Sequence, residues 1–322
     1  MTLTLDPATG LLETSFPLPL DEPFSTATAR AVGLRPNTLT RLVAGGALRR
    51  IVRGVYVAVQ AGDSTALRAR ALRLVVPEDA VVVDRHAAWL LGAEMALAPG
   101  EHLELRPITV FRPPGRGRLR STLVDSGERD LRPEDVTDVD GLRVTTALRT
   151  AWDLGRVRHP DLAIAGMDAV ARLGLFTREE LLGGVPRFAR TRWVTTLRAV
   201  APLVDGRAES PPESVLRLRW IQAGLPTPEP QVEVWEHGVL VARLDVGHRG
   251  LRLAAEYDGV EFHTSEAQVA HDRVRRGYLD AQRGWTLVVV TRPDLWGPGA
   301  GVEALLRRGW ERSRARATQV IS

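Results

Sequence analysis

Three carboxylates toward the C-terminal end of the sequence, Asp245, Glu256 and Asp258, are spaced so that they can act together. The run Leu253-Ala254-Ala255-Glu256-Tyr257-Asp258 reads as a β-strand. Alternation then turns Ala254, Glu256 and Asp258 to one face and Leu253, Ala255 and Tyr257 to the other. Asp245 comes from the strand before. Carboxylates converging from neighbouring strands suit a hard divalent cation, Mg²⁺ or Mn²⁺, which keeps waters in its shell and bridges to substrate phosphates. The chemistry indicated is metal-assisted phosphodiester cleavage. The same spacing also describes an antiparallel strand whose wet face carries Arg252, Glu256 and Asp258.

Around these acids the pattern predicts a helix, three strands, a helix and a strand. Ser210-Pro211-Pro212-Glu213 opens a helix that runs through Gln222 and closes at Gly224. Gln231 to Trp235 alternates as a strand, Glu236-His237-Gly238 turns, and Val239 to Val246 returns past Asp245. Beyond the carboxylate strand, Ser265-Glu266-Ala267 leads into a helix with Asp272, Arg275 and Arg276, followed by Gly284 and an apolar strand, Trp285 to Val290. A tight hairpin over Gly247 to Gly250 would set Asp245 opposite Arg252 and leave Glu256 roughly 13 Å further along, at about 3.3 Å per residue. A shared site therefore requires a wider loop or a bulge at that point. Glu213, three residues after Ser210, also fits a capping box, and Asp272 and Arg276 fit an exposed helical ion pair.

In this order, Glu213, Asp245, the Glu256-Tyr257-Asp258-Gly259 strand, His263, Asp272, Arg276 and Gly284-Trp285 resemble the very-short-patch-repair-like branch of the restriction-endonuclease-fold nucleases. The resemblance covers about the last third of the chain. It implies Asp245 and Glu256 as metal ligands, Glu213 as an accessory ligand, Asp258 beside the metal, His263 as a proton-transfer group and Arg276 as a phosphate contact. The wider superfamily has a lysine two positions after the strand glutamate; here that position is Asp258, so another group must orient the attacking water.

The N-terminal end carries a different pattern. Ser25 caps a helix over Thr26 to Ala31, Gly33 permits a turn, and Arg35 to Val43 reads as a second helix that ends at Gly45-Gly46. Leu48 to Arg53 and Val55 to Val57, joined by Gly54, form a small basic wing. Two short helices followed by a wing predict a winged helix-turn-helix. The Leu42 to Gly46 helix end and the Arg53-Gly54-Val55-Tyr56 wing resemble the N-terminal domain of abortive-infection type IV antitoxins, which also brings a partner toxin into view. On this reading Arg35, Asn37, Thr38 and Arg41 face the DNA major groove, and Arg49, Arg50 and Arg53 hold phosphates. A winged helix can also serve protein contact instead.

Composition narrows the remaining classes. The chain has 322 residues, 44% of them hydrophobic, which is enough for several cores. It has no cysteine, which excludes disulfides, thiolate nucleophiles and cysteine zinc sites. All 43 basic residues are arginine, so a Walker phosphate loop, a Schiff-base lysine and a lysine general base are excluded as well. The net charge of +4 permits nucleic-acid binding without requiring it. No secretion signal and no apolar run of about 20 residues is visible, which predicts a cytoplasmic protein with no membrane partner. His86 reads as a packed or capping histidine. The expected architecture is α+β and multidomain: a flexible arm (1–22), the winged helix-turn-helix (23–60), a mixed α/β middle region (61–204), a linker (205–212) and a restriction-endonuclease-like α/β domain (213–322).

Overall fold

The computed structural model describes residues 5–6, 8–104, 106–259, 266–297 and 301–321, and the chain forms two compact units, Met1–Asp153 and Leu154–Ser322. Helices and strands alternate through both, so the chain is mixed α and β. Among the described residues no helix is long and apolar enough to cross a membrane.

The first unit opens with β1 (Phe24–Ser25), α1 (Thr26–Ala31) and α2 (Pro36–Ala44), followed by β2 (Leu48–Val52) and β3 (Val55–Ala58). Each boundary has a local cause. Ser25 Oγ accepts the Thr28 N–H at 3.0 Å and so caps α1. Gly33 turns the chain between the helices at φ +85°, a conformation open to glycine. Pro36 starts α2 at a position whose N–H would have no helical partner anyway. The strands form a sheet in the order β1-β3-β2. Leu39 and Leu42 of α2 are buried with Leu34, Leu48 and Tyr56. The stretch expected as a flexible arm instead brings Leu12, Phe16 and Leu18 into this core, where Gln60 Nε2 also donates to the Leu12 carbonyl at 2.8 Å.

After it come α3 (Thr65–Arg73), β4 (Val81–Val82), α4 (Asp84–Leu90), β5 (Ile108–Arg112), β6 (Val124–Glu128), β7 (Val136–Val139), β8 (Leu142–Thr145) and α5 (Ala147–Gly155). The five strands lie in the order β6-β5-β4-β8-β7. Glu101–Leu103 is a 3₁₀ turn entered through Gly100 at φ +74°. Buried Arg149 donates to Asp135 at 2.7 Å and to Asp153 at 2.8 Å, while Arg129 joins Asp84 and Asp153, so these interior charges are paired. His86 is a packed residue, as expected: its Nδ1 accepts the Thr109 N–H at 3.2 Å, and burial holds its pKa below the usual histidine value.

The second unit contains α6 (Pro160–Ala171), α7 (Arg178–Gly184), α8 (Val194–Val200), α9 (Pro211–Gln222), β9 (Glu229–Glu236), β10 (Val239–His248), β11 (Leu253–Asp258), α10 (Glu266–Arg283), β12 (Thr286–Thr291), α11 (Arg292–Trp296) and α12 (Val302–Ile321). Its sheet has the order β12-β11-β10-β9. The first three strands in sequence are antiparallel, and β12 returns parallel to β11 through the α10 crossover. His237 at φ +48° and Gly238 at φ +81° make the β9–β10 turn, in the positive-φ conformation that suits a two-residue hairpin. The 205–212 stretch, expected as a linker, is tied into this unit. Asp168 of α6 accepts the Asp205 N–H at 2.8 Å and pairs with buried Arg217 of α9 at 2.7 Å. Helices α6 to α8, expected in the middle region, belong to this same unit.

Candidate functional site

The β10–β11 connection is the wide one that a shared site requires. The ladder pairs His248 with Leu253, Gly247 with Ala254 and Val246 with Ala255. Between the strands a 3₁₀ turn, Arg249–Leu251, and Arg252 at φ +46° take up the extra length. One step past the last pair, Asp245 stands opposite Glu256, so the 13 Å offset of a tight hairpin does not arise. Where the ladder ends, Asp245 Oδ2 accepts the Tyr257 N–H at 2.7 Å in place of a backbone partner. On the other side of β10, Leu244 pairs with Val232 and Val246 with Pro230, which brings Gln231 opposite Asp245. Gln231, Asp245 and Glu256 are therefore neighbours across three strands, at the point where Gln231 leaves ordinary strand geometry at φ +52°.

Helix α9 contributes the fourth member. Glu213 Oε2 accepts from Gln231 Nε2 at 2.7 Å and from the Glu209 N–H at 2.8 Å, and its Oε1 accepts from Ser210 Oγ at 2.8 Å. Ser210 caps α9, but the reciprocal half of the expected capping box is altered, because the Glu213 carboxylate takes the N–H of Glu209 in place of that of Ser210. Burial pushes the Asp245 carboxyl up to about 7; repulsion from Glu213 and then Glu256 adds to the rise, against the Tyr257 N–H and Arg275. Asp245 is thus a carboxyl held between two others and destabilised in its charged form.

Glu256 is only 5% exposed, which rules out the wet-face reading of this strand. Two guanidiniums from α10 meet it. Arg275 donates to both of its oxygens, at 2.9 and 3.3 Å, and Arg276 Nε donates to Oε2 at 3.2 Å while its Nη2 reaches Asp258 at 3.0 Å. Asp272 pairs with Arg275 at 3.5 Å, so the expected Asp272–Arg276 pair gives way to the tertiary partners of Arg276. Arg276, expected on phosphate, is turned to the acids. Among the described residues no three His, Cys, Asp or Glu side chains stand close enough, as they are arranged, to hold one metal ion. His263 lies outside the described residues.

Gln231 and Arg275 are the members of this site that sequence patterning does not single out. Arg275 is one of many helical arginines. Gln231 has φ +52°, a conformation that no local signal assigns to glutamine.

In the first unit, Arg35, Asn37 and Arg41 are exposed on and before α2, and Thr38 is half-buried. Among the wing arginines, Arg53 is exposed and donates to Thr122 Oγ1 at 3.3 Å. Arg50 lies 5.7 Å from the Tyr56 ring centre, and Arg49 bonds the Gly62 carbonyl with Asp63 nearby at 3.9 Å. Arg49 is therefore engaged within its own unit, unlike Arg35 and Arg41, for which the helix leaves an open face.

No protein-family model matches the chain. Two curated relatives, uncharacterized proteins of Mycobacterium tuberculosis strains CDC 1551 / Oshkosh and ATCC 25618 / H37Rv, are each 34% identical over 176 residues. The match takes in 55% of this chain and 65% of each relative. A crystal structure of another M. tuberculosis protein covers 67% of this chain and 84% of its own at 13% identity, with a TM-score of 0.35, too slight a likeness to carry its fold across. Over this part of its length the chain is thus similar to proteins whose names state no activity.

Proposed function

We propose that the second unit is a metal-dependent DNA endonuclease of restriction-endonuclease-like fold, and that the first unit binds DNA through a winged helix-turn-helix. The observation that carries this reading is the position of Asp245 directly across from Glu256, with its charged form opposed by both Glu213 and Glu256. Clustered carboxylates repel one another unless a cation joins them, and this donor set is the hard-oxygen kind that Mg²⁺ or Mn²⁺ prefers. Asp245, Glu256 and Glu213 would hold the ion, which when bound supplies Lewis-acid polarisation of a phosphodiester and a more acidic water.

The protein's own groups account for the rest. Asp245 Oδ2 accepts the Tyr257 N–H, which fixes the carboxyl beside Glu256 while burial raises its pKa to about 7. Arg275 and Arg276 sit on Glu256 and bring cationic donors to a site whose strand lacks a lysine. Guanidinium also binds phosphate in a two-point mode, which makes these arginines candidates to move from carboxylate to DNA backbone. Asp258 tethers Arg276 beside the site.

One observation favours a second reading, an antitoxin-like transcriptional regulator whose nuclease-like domain is inactive. The arginines already satisfy Glu256, and no three described acids surround one point. Plasmid nicking separates the two. The endonuclease nicks with Mg²⁺ or Mn²⁺ and loses at least about a hundredfold in rate in Asp245→Asn and Glu256→Gln, about 2.7 kcal/mol or more in barrier. A regulator shifts an operator fragment equally in wild type and both variants and nicks nothing.

A further inference from the structure

Gln231 occupies a position that its residue type disfavours. It lies inside β9, with Pro230 and Val232 on either side both in register with β10, yet its φ is +52°. Only glycine takes that region freely, with asparagine the next most tolerant. Such an outlier persists only where the surrounding structure holds it in place. Here Nε2 donates to Glu213 Oε2 at 2.7 Å from a strand position level with Asp245, between the pairs Val232–Leu244 and Pro230–Val246. Glu256 and Asp258 are held by guanidiniums, whereas Glu213 is held by three uncharged donors: Gln231, Ser210 Oγ and the Glu209 N–H. An uncharged donor fixes a carboxylate without cancelling its charge, which stays available to a cation.

We infer that Gln231 is the positioning residue of the site, a neutral clamp that holds Glu213 toward Asp245 so that both can address one divalent cation. The inference rests on the proposed metal site. The strained backbone separates this role from a structural one. Gln231→Gly removes the strain and the clamp together; Gln231→Asn tolerates the backbone but is one methylene too short to reach Glu213.

The test is Mn²⁺ titration of the full chain by calorimetry, alongside thermal melting in EDTA. Both variants are expected to melt within a few degrees of wild type or above it, and to bind Mn²⁺ about tenfold more weakly, the usual scale for losing a group that orients a ligand. Unchanged Mn²⁺ affinity in both variants, whatever the melting temperatures, overturns the clamp and leaves the metal site standing. A wild-type chain that binds no Mn²⁺ removes the metal site, and the clamp with it.

Discussion

At the residue scale, Asp245 sets the pH behaviour of the site. Its carboxyl sits near 7, above the ordinary 3.8, so the folded chain keeps a proton that the unfolded chain releases. Stability is therefore lost as pH rises from about 4 to about 7 and stays lost above that. Asp245→Asn keeps an acceptor for the Tyr257 N–H and removes the titration. In metal-free urea denaturation it should gain on wild type by on the order of a few kcal/mol between pH 4.5 and 8. Parallel pH curves for the two would show that Asp245 is not destabilised. Arg275→Met should lower the melting temperature, because buried Glu256 loses a partner, yet tighten Mn²⁺ binding severalfold by removing a competitor; weaker binding would assign Arg275 a supporting role. Which acids share a face was legible from the alternation of Glu256 and Asp258. That Asp245 meets Glu256 was not, because the register depends on the 3₁₀ turn and on Arg252 adopting φ +46°. The pairing of Arg276 was not legible either, since a local i,i+4 partner is weaker than two acids supplied by the sheet.

At the element scale, two helical glycines give opposite expectations. Gly277 of α10 is exposed with nothing near its missing side chain, so Gly277→Ala should stabilise by about 0.5–1 kcal/mol through helix propensity alone. Gly309 of α12 lies against β12, where a Cβ would come within 2.4 Å of Val288 Cγ2. Gly309→Ala should therefore cost about 1–3 kcal/mol through overpacking. Chemical denaturation of the two single variants checks both signs, and a stabilised Gly309→Ala would mean that α12 packs less closely than described. The order from α9 to β12 was readable because each element has its own period and punctuation, as with Ser210 before α9 and Gly284 before β12. The two-residue β4 was not, because two valines carry no periodicity to read.

At the scale of the whole molecule, the two units are expected to contribute separable activities. Substituting exposed Arg53 of the wing by Ala should weaken DNA binding, reduce its salt slope by up to about 1, and leave Mn²⁺ binding by the second unit unchanged; fluorescence anisotropy across a salt series measures the first two. An unchanged slope would mean that the wing does not lie on phosphate. The compositional limits, without cysteine or lysine, were fully legible. The packing of Leu12, Phe16 and Leu18 was not, since scattered apolar residues among prolines have no period and find their place only through tertiary burial. The most direct test of the central claim is the anomalous scattering of a crystal soaked in Mn²⁺. One peak is expected at about 2.0–2.2 Å from carboxylate oxygens of both Asp245 and Glu256, with Arg275 displaced from Glu256. A peak elsewhere, or none with Arg275 still seated on Glu256, would contradict it.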